Sequence, residues 1–184
     1  IAGSVNVHLG DSPRKIELIQ RVIHETEIPA SQFLPTHVNR NAALFDACLE
    51  FAKEGGTIDF TGNEDIDAWE AISDEVRVCK GIRRLLDLGV PSDRFTISSD
   101  GQGSLPVFDE NGNYQGLGIG KASCLLKEIR ECVQTEGIPL EIALKGITSN
   151  PASILKLGAK GRLQPGFDAD LCLLTADTLA LDTV

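Results

Sequence analysis

The chain has 184 residues, 42% of them hydrophobic, and none of its apolar runs approaches the length of a membrane span, so a soluble globular protein with one main core is expected. A formal net charge of −10 lacks the basic surface that nucleic acid or an anionic membrane requires, and neither is expected as a partner. Five cysteines, an odd number without paired spacing, read as reduced thiols rather than a disulfide framework, which makes the expected compartment cytoplasmic.

No charged-then-apolar leader opens the chain. Ile1 begins inside what reads as a strand and methionine is absent throughout, so a piece of a longer protein is expected. Ser4 to His8 (SVNVH) is a short β-branched run that closes on a polar residue. Ser12 and Pro13 offer an N-cap and a proline at the first helical position. Ile16, Ile19 and Ile23 then share one helical face in a helix running to about Thr26. Phe33 to Thr36 reads as the second strand and ends at His37. Asn41 caps the next expected helix, whose Leu44, Cys48 and Phe51 share a face and which Gly55-Gly56 stops. Thr57 to Phe60 is the third strand. The acidic stretch from Gly62 to Glu75, with the single Trp69, reads as a loop. A helix carrying Val78, Ile82, Leu85 and Leu86 follows and closes at Gly89, and Phe95 to Ser98 is the fourth strand.

Four βα units in succession predict a parallel sheet covered by helices. Gly101 to Gly120 is glycine-rich and polar, and reads as a long active-site loop. Helices are expected over roughly Ala122 to Thr135, Leu140 to Ile147 and Pro151 to Leu157, with Asn150 as N-cap of the last. From Lys160 the character changes: a Gln164-Pro165-Gly166 turn precedes a strand over Ala169 to Leu174 that has no evident partner after it.

Three polar side chains sit where strands end: His8, His37 and Asp100. In a (β/α)₈ barrel the catalytic residues project from the C-terminal strand ends into a mouth of βα loops. Imidazole nitrogens and a carboxylate converging there suit zinc, which makes bound water a nucleophile near neutral pH. Each also has a plainer reading: a strand-end histidine as a hydrogen-bonded structural group, and Asp100 before Gly101 as a turn former. Their coincidence at one edge favours the metal site. His24, within the first helix, reads as partly packed or exposed and without chemistry. Asp168 and Asp170 in the run G-F-D-A-D read as turn and strand entry, not as ligands.

H-L-G-D at His8 to Asp11, P-T-H-V-N-R at Pro35 to Arg40 and S-S-D-G-Q-G-S at Ser98 to Ser104 resemble the bacterial isoaspartyl (β-aspartyl) dipeptidases. The tail, T-S-N-P-A-S-I-L-K-L through G-R-L-Q-P-G-F-D-A-D-L, resembles the C-terminal signature of the wider amidohydrolase superfamily. The resemblance implies a (β/α)₈ barrel with a small β-sandwich. Residues 1–158 would supply about strands five to eight, and residues 159–184 part of the sandwich. It implies a zinc metalloprotease that cleaves the isopeptide bond of β-aspartyl dipeptides by a metal-activated hydroxide. His8 and His37 would bind the second metal of a binuclear centre. Asp100 would bind the first and act as general base. Arg40 would pair with a substrate carboxylate, for which a guanidinium has bidentate geometry, and Ser104 would contact the β-aspartyl portion. Gly101 and Gly103 would let the loop approach substrate closely.

The family's H-x-H pair and carbamylated lysine have no counterpart after Ile1, so half of the metal site is expected upstream. A homo-oligomer acting on a small dipeptide is the implied assembly and partner. The alternatives are another amidohydrolase, such as a cyclic-amide hydrolase or N-acyl amino acid deacylase, and a non-catalytic amidohydrolase-like scaffold.

Overall fold

A computed structural model describes residues 3–64, 67, 73–109 and 111–184. Strands β1 (Val5–His8), β2 (Phe33–Thr36), β3 (Ile58–Thr61) and β4 (Phe95–Ser98) form one parallel sheet in the order β1-β2-β3-β4. Strand order follows chain order with no reversal, unlike a doubly wound sheet, whose order reverses at a switch point. The expected α/β architecture with a parallel sheet is present. His8 lies opposite Thr36, Thr36 opposite Asp59, and Asp59 opposite Thr96. This register brings the C-terminal strand ends to a common edge.

Helices α1 (Glu17–Glu25), α2 (Ala42–Lys53) and α3 (Val78–Asp87) connect successive strands, and α4 (Cys124–Gln134), α5 (Leu140–Lys145) and α6 (Ser149–Ile154) follow the sheet. Phe45, Cys48 and Phe51 of α2 are fully buried, as are Ile58, Phe60 and Phe95 of the strands and Ile82 and Leu85 of α3. These residues form the core, where burial of a large apolar side chain contributes roughly 1.5–3 kcal/mol. The Phe45 and Phe60 rings meet at 5.6 Å with a 52° tilt. Gly81 allows this packing, because a β-carbon there would stand 2.6 Å from the Phe60 ring. Four of the five unpaired cysteines are buried, and burial pushes the Cys48 thiol up to about 12, so it behaves as an apolar side chain. No helix among the described residues is long and apolar enough to cross a membrane.

Several sequence expectations need correction. Ser12 does not cap α1: its Oγ accepts from the Arg14 backbone N–H, Lys15 turns to φ 50°, and the helix starts only at Glu17 with no side-chain cap. A left-handed residue cannot be continued as an α-helix, so Lys15 delays the start. The stretch Gly101 to Gly120 is not an irregular loop. Strands β5 (Ser104–Phe108) and β6 (Tyr114–Ile119) pair antiparallel, and Gly112 sits in their turn at φ 79°. The strand expected over Ala169 to Leu174 shrinks to β7 (Leu173–Leu174), and it does have a partner, β8 (Leu181–Thr183). Asn150 lies inside α6 rather than at its cap, and its Nδ2 donates to the Ser92 and Phe95 carbonyls, tying α6 to β4. His24 is exposed, and Asp168 and Asp170 both grip the Lys160 ammonium. Within the acidic Gly62 to Glu75 stretch, residues 65, 66 and 68–72, Trp69 included, lie outside the described residues.

Candidate active site

Each strand of the sheet delivers polar side chains to the same edge. β1 ends at His8, β2 runs into His37, β3 ends at Thr61, and β4 leads through Ser99 to Asp100. His37 and Asp100 both leave their strands in the left-handed region, at φ 63° and φ 46°. For a residue with a β-carbon this costs on the order of 1 kcal/mol and persists only where surrounding structure enforces it, as it does at functional sites.

The His37 ring is held by a pair of hydrogen bonds. His37 Nε2 faces His8 Nδ1 at 3.0 Å, and His37 Nδ1 meets the Thr61 hydroxyl at 2.7 Å. Thr61 is itself held by Asn39, whose side chain accepts from the Thr61 N–H at 2.9 Å and donates to its carbonyl at 3.0 Å. The Asn39 amide acts as an extra backbone link between the exit of β2 and the end of β3. Burial, together with the Arg40 guanidinium, pushes His37 below the ordinary imidazole range, against the pull of Asp100. His37 is therefore a neutral imidazole near pH 7, the form that can donate a lone pair.

His37, Arg40, Thr61, Glu75, Asp100 and Ser104 line a cavity of about 430 Å³, within the size range of a small-molecule site. His8 joins this group through its contact with His37. Arg40 is exposed beyond the buried His37, three residues along, and Ser104 opens β5. The root of the β5–β6 hairpin is built on Asp100. The Gly103 N–H donates to the Asp100 carbonyl at 2.8 Å, and a β-carbon at Gly103 would come within 2.7 Å of that oxygen. The bare backbone of Gly103 is thus required by its contact with Asp100.

The structure thus places His37, Asp100, Arg40 and Ser104 around one cavity and pairs His8 with His37. It does not bring Asp100 into a cluster with the two imidazoles: among the described residues no three His, Cys, Asp or Glu side chains gather as a metal-holding group. Sequence reasoning missed three residues. Asn39 is buried beneath the site, and its signal was a polar residue inside the P-T-H-V-N-R motif. Glu75 accepts from Asn39 Nδ2 at 3.1 Å and is pushed by burial up to about 7, with Arg40 opposing the shift. Asp59, an acid between the apolar Ile58 and Phe60 of β3, is almost wholly buried.

The model of the amidohydrolase family matches residues 4–183. The crystal structure of a β-aspartyl dipeptidase from the thermophilic keratin-degrading Fervidobacterium islandicum AW-1, in complex with the β-Asp-Leu dipeptide, is 41% identical with a TM-score of 0.82; the match covers 98% of this chain and 45% of that one. A second crystal structure of a β-aspartyl dipeptidase from this organism is 35% identical with a TM-score of 0.80, covering 97% of this chain and 42% of the other. The chain spans less than half the length of either structure.

Proposed function

The chain belongs to the amidohydrolase family, and on that premise we propose that it forms part of a metal-dependent hydrolase that cleaves the isopeptide bond of β-aspartyl dipeptides. Its four strands would be about strands five to eight of a (β/α)₈ barrel, with residues 1–158 in the barrel and 159–184 in a small β-sandwich. The observation that carries the reading is the shared cavity: imidazole, carboxylate, guanidinium and hydroxyl groups line one opening at the C-terminal strand ends, where barrel enzymes hold their chemistry.

The donor set fits zinc. The facing nitrogens of His8 and His37 stand 3.0 Å apart, close to the roughly 3.3 Å edge of a tetrahedron with zinc–nitrogen bonds of about 2.0–2.1 Å. The Thr61 hydroxyl occupies the other nitrogen of His37 and so orients Nε2 inward, as outer partners of metal-ligating histidines do. His8 and His37 would hold one ion, and Asp100 would contribute to a second, completed by ligands from elsewhere in the protein. When bound, zinc polarises a carbonyl and acidifies water.

The chain's own residues account for the remaining steps. Arg40 receives a substrate carboxylate in bidentate fashion, and Ser104 contacts the β-aspartyl portion. Asp100 takes the proton from the attacking water and delivers it to the departing amine. Asp100 is half-buried at the hairpin root and lines the cavity that Arg40 rims. The test is turnover by the complete protein. β-Asp-Leu is expected to be cleaved and dihydropyrimidines not, and Asp100→Asn should lose at least about 10²-fold in kcat. Preference for the cyclic amide would assign the chain to a different amidohydrolase, and unchanged turnover in the variant would remove Asp100 from the reaction.

A further inference from the structure

Beneath the cavity lies a group that the proposed chemistry does not use. Asp59 on β3 is 4% exposed. Its Oδ2 accepts from the Thr36 hydroxyl of β2 at 2.6 Å and from the Ser98 hydroxyl of β4 at 2.6 Å, and its Oδ1 accepts from Thr96 of β4 at 2.5 Å. One carboxylate therefore binds hydroxyls on both neighbouring strands. Burying a carboxylate is costly even when hydrogen-bonded, and an apolar side chain of similar size would fill the core at lower cost. What the carboxylate adds is direction, since each hydroxyl must point at it.

The positions of those hydroxyls matter. Thr36 immediately precedes His37, Ser98 lies two residues before Asp100, and Asp59 itself lies two residues before Thr61, whose hydroxyl meets His37 Nδ1. The backbone between β2 and β3 registers at the single pair Thr36↔Asp59, whereas β1–β2 and β3–β4 each register over four pairs. The side-chain bond thus falls where the ladder is thinnest. From this we infer that Asp59 is a positioning residue: it locks the ends of β2, β3 and β4 at a common level and so sets where His37 and Asp100 stand in the cavity. The inference rests on the reading of His37 and Asp100 as reacting-site residues.

The test compares Asp59→Asn, Ser98→Ala and Thr96→Val in the complete protein, by crystal structure, melting temperature and kinetics on β-Asp-Leu. An asparagine keeps the volume but offers only one acceptor oxygen, so at least one hydroxyl must stop donating and accept from the amide NH2 instead. Asp59→Asn should shift His37 or Asp100 by more than about 0.5 Å. It should also lower kcat by at least about 10-fold while KM changes by less than about 3-fold. Ser98→Ala should show the same pattern more weakly. Thr96→Val, which removes a donor to Asp59 at a position four residues before Asp100, should lower the melting temperature with a clearly smaller loss of kcat than Ser98→Ala. Equal losses of stability in all three with unchanged kcat, or equal losses of kcat in all three, would overturn the positioning role and leave Asp59 a packing residue. If Asp59→Asn does not fold, the contrast between Ser98→Ala and Thr96→Val decides. If the unaltered protein does not cleave β-Asp-Leu, the functional reading fails by itself. The displacement of His37 and Asp100 in the variants then decides this one.

Discussion

His37 shows how much one residue can be made to do by its neighbours. It is held in a left-handed conformation, hydrogen-bonded on both ring nitrogens and kept neutral by burial beside Arg40. Arg40, by contrast, is exposed, so its charge costs little to maintain and is free to meet an incoming carboxylate. Arg40→Lys keeps that charge but loses the planar fork that matches a carboxylate in two bonds. The expected outcome is a rise in KM of roughly 10-fold for β-Asp-Leu, with a smaller change in kcat, measured by steady-state kinetics on the complete protein. An unchanged KM would make the arginine a solvent-facing residue with no part in recognition. Both histidines and Asp100 were legible as candidates because each ends a β-branched or apolar run with a polar side chain. Asp59 was not, because its hydroxyl partners come from Thr36, Thr96 and Ser98, far apart in the chain, and only sheet register brings them to it.

At the scale of elements, two helix starts that look alike in sequence differ in the structure. Asn41 sits in extended conformation and its side chain accepts from the Leu44 N–H at 2.8 Å, a working N-cap for α2. Ser12 looked equally suitable, but the left-handed Lys15 intervenes and the helix begins beyond its reach. Asn41→Ala should therefore cost about 1 kcal/mol, or about 2–4 °C in melting temperature, whereas Ser12→Ala should change stability by less than about 0.5 kcal/mol. Thermal unfolding of the two variants side by side checks the contrast, and equal losses would mean that Ser12 caps after all. The β5–β6 hairpin illustrates the opposite failure of sequence reading. Glycines at 112, 116, 118 and 120 mask the alternation of Leu105, Val107, Leu117 and Ile119, and exposed strands carry little apolar periodicity to detect.

For the molecule as a whole, α4 is the element that ties the end of β3 to the rest of the fold. Glu128 is 1% exposed and accepts from the Asn63 N–H at 2.9 Å, just past Thr61, while Ser123 and Lys127 hold Glu64. Burial pushes Glu128 up to about 7, against the Asn63 N–H and Lys127, with Glu131 and Glu75 adding to the rise. Its folded value lies above that of an unfolded glutamate, so the folded state binds the proton more tightly. The stabilisation is fully present below about pH 4.3 and is lost as pH rises through about 7. Glu128→Gln, which keeps the acceptor for Asn63, should flatten the pH dependence of stability across that window, by at most about 3 kcal/mol. Denaturant unfolding at pH 5 and pH 8 checks this, and an unaltered slope in the variant would rule Glu128 out as its source.

Taken by itself, the sequence determined the alternation of strands and helices, the strand ends at His8, Thr36 and Ser98, and the family motifs around His37 and Asp100. Those features rest on local apolar periodicity and short-range turn chemistry, which a linear reading can follow. Tertiary structure decided the rest: the pairing of His8 with His37, the Asn39 bridge to Thr61, the burial of Glu128 and the grip of three hydroxyls from β2 and β4 on Asp59. Each of these depends on which residues lie opposite one another across the sheet or against a packed helix. That relation is fixed by register and packing between segments distant in the chain, and it leaves no periodic trace along it.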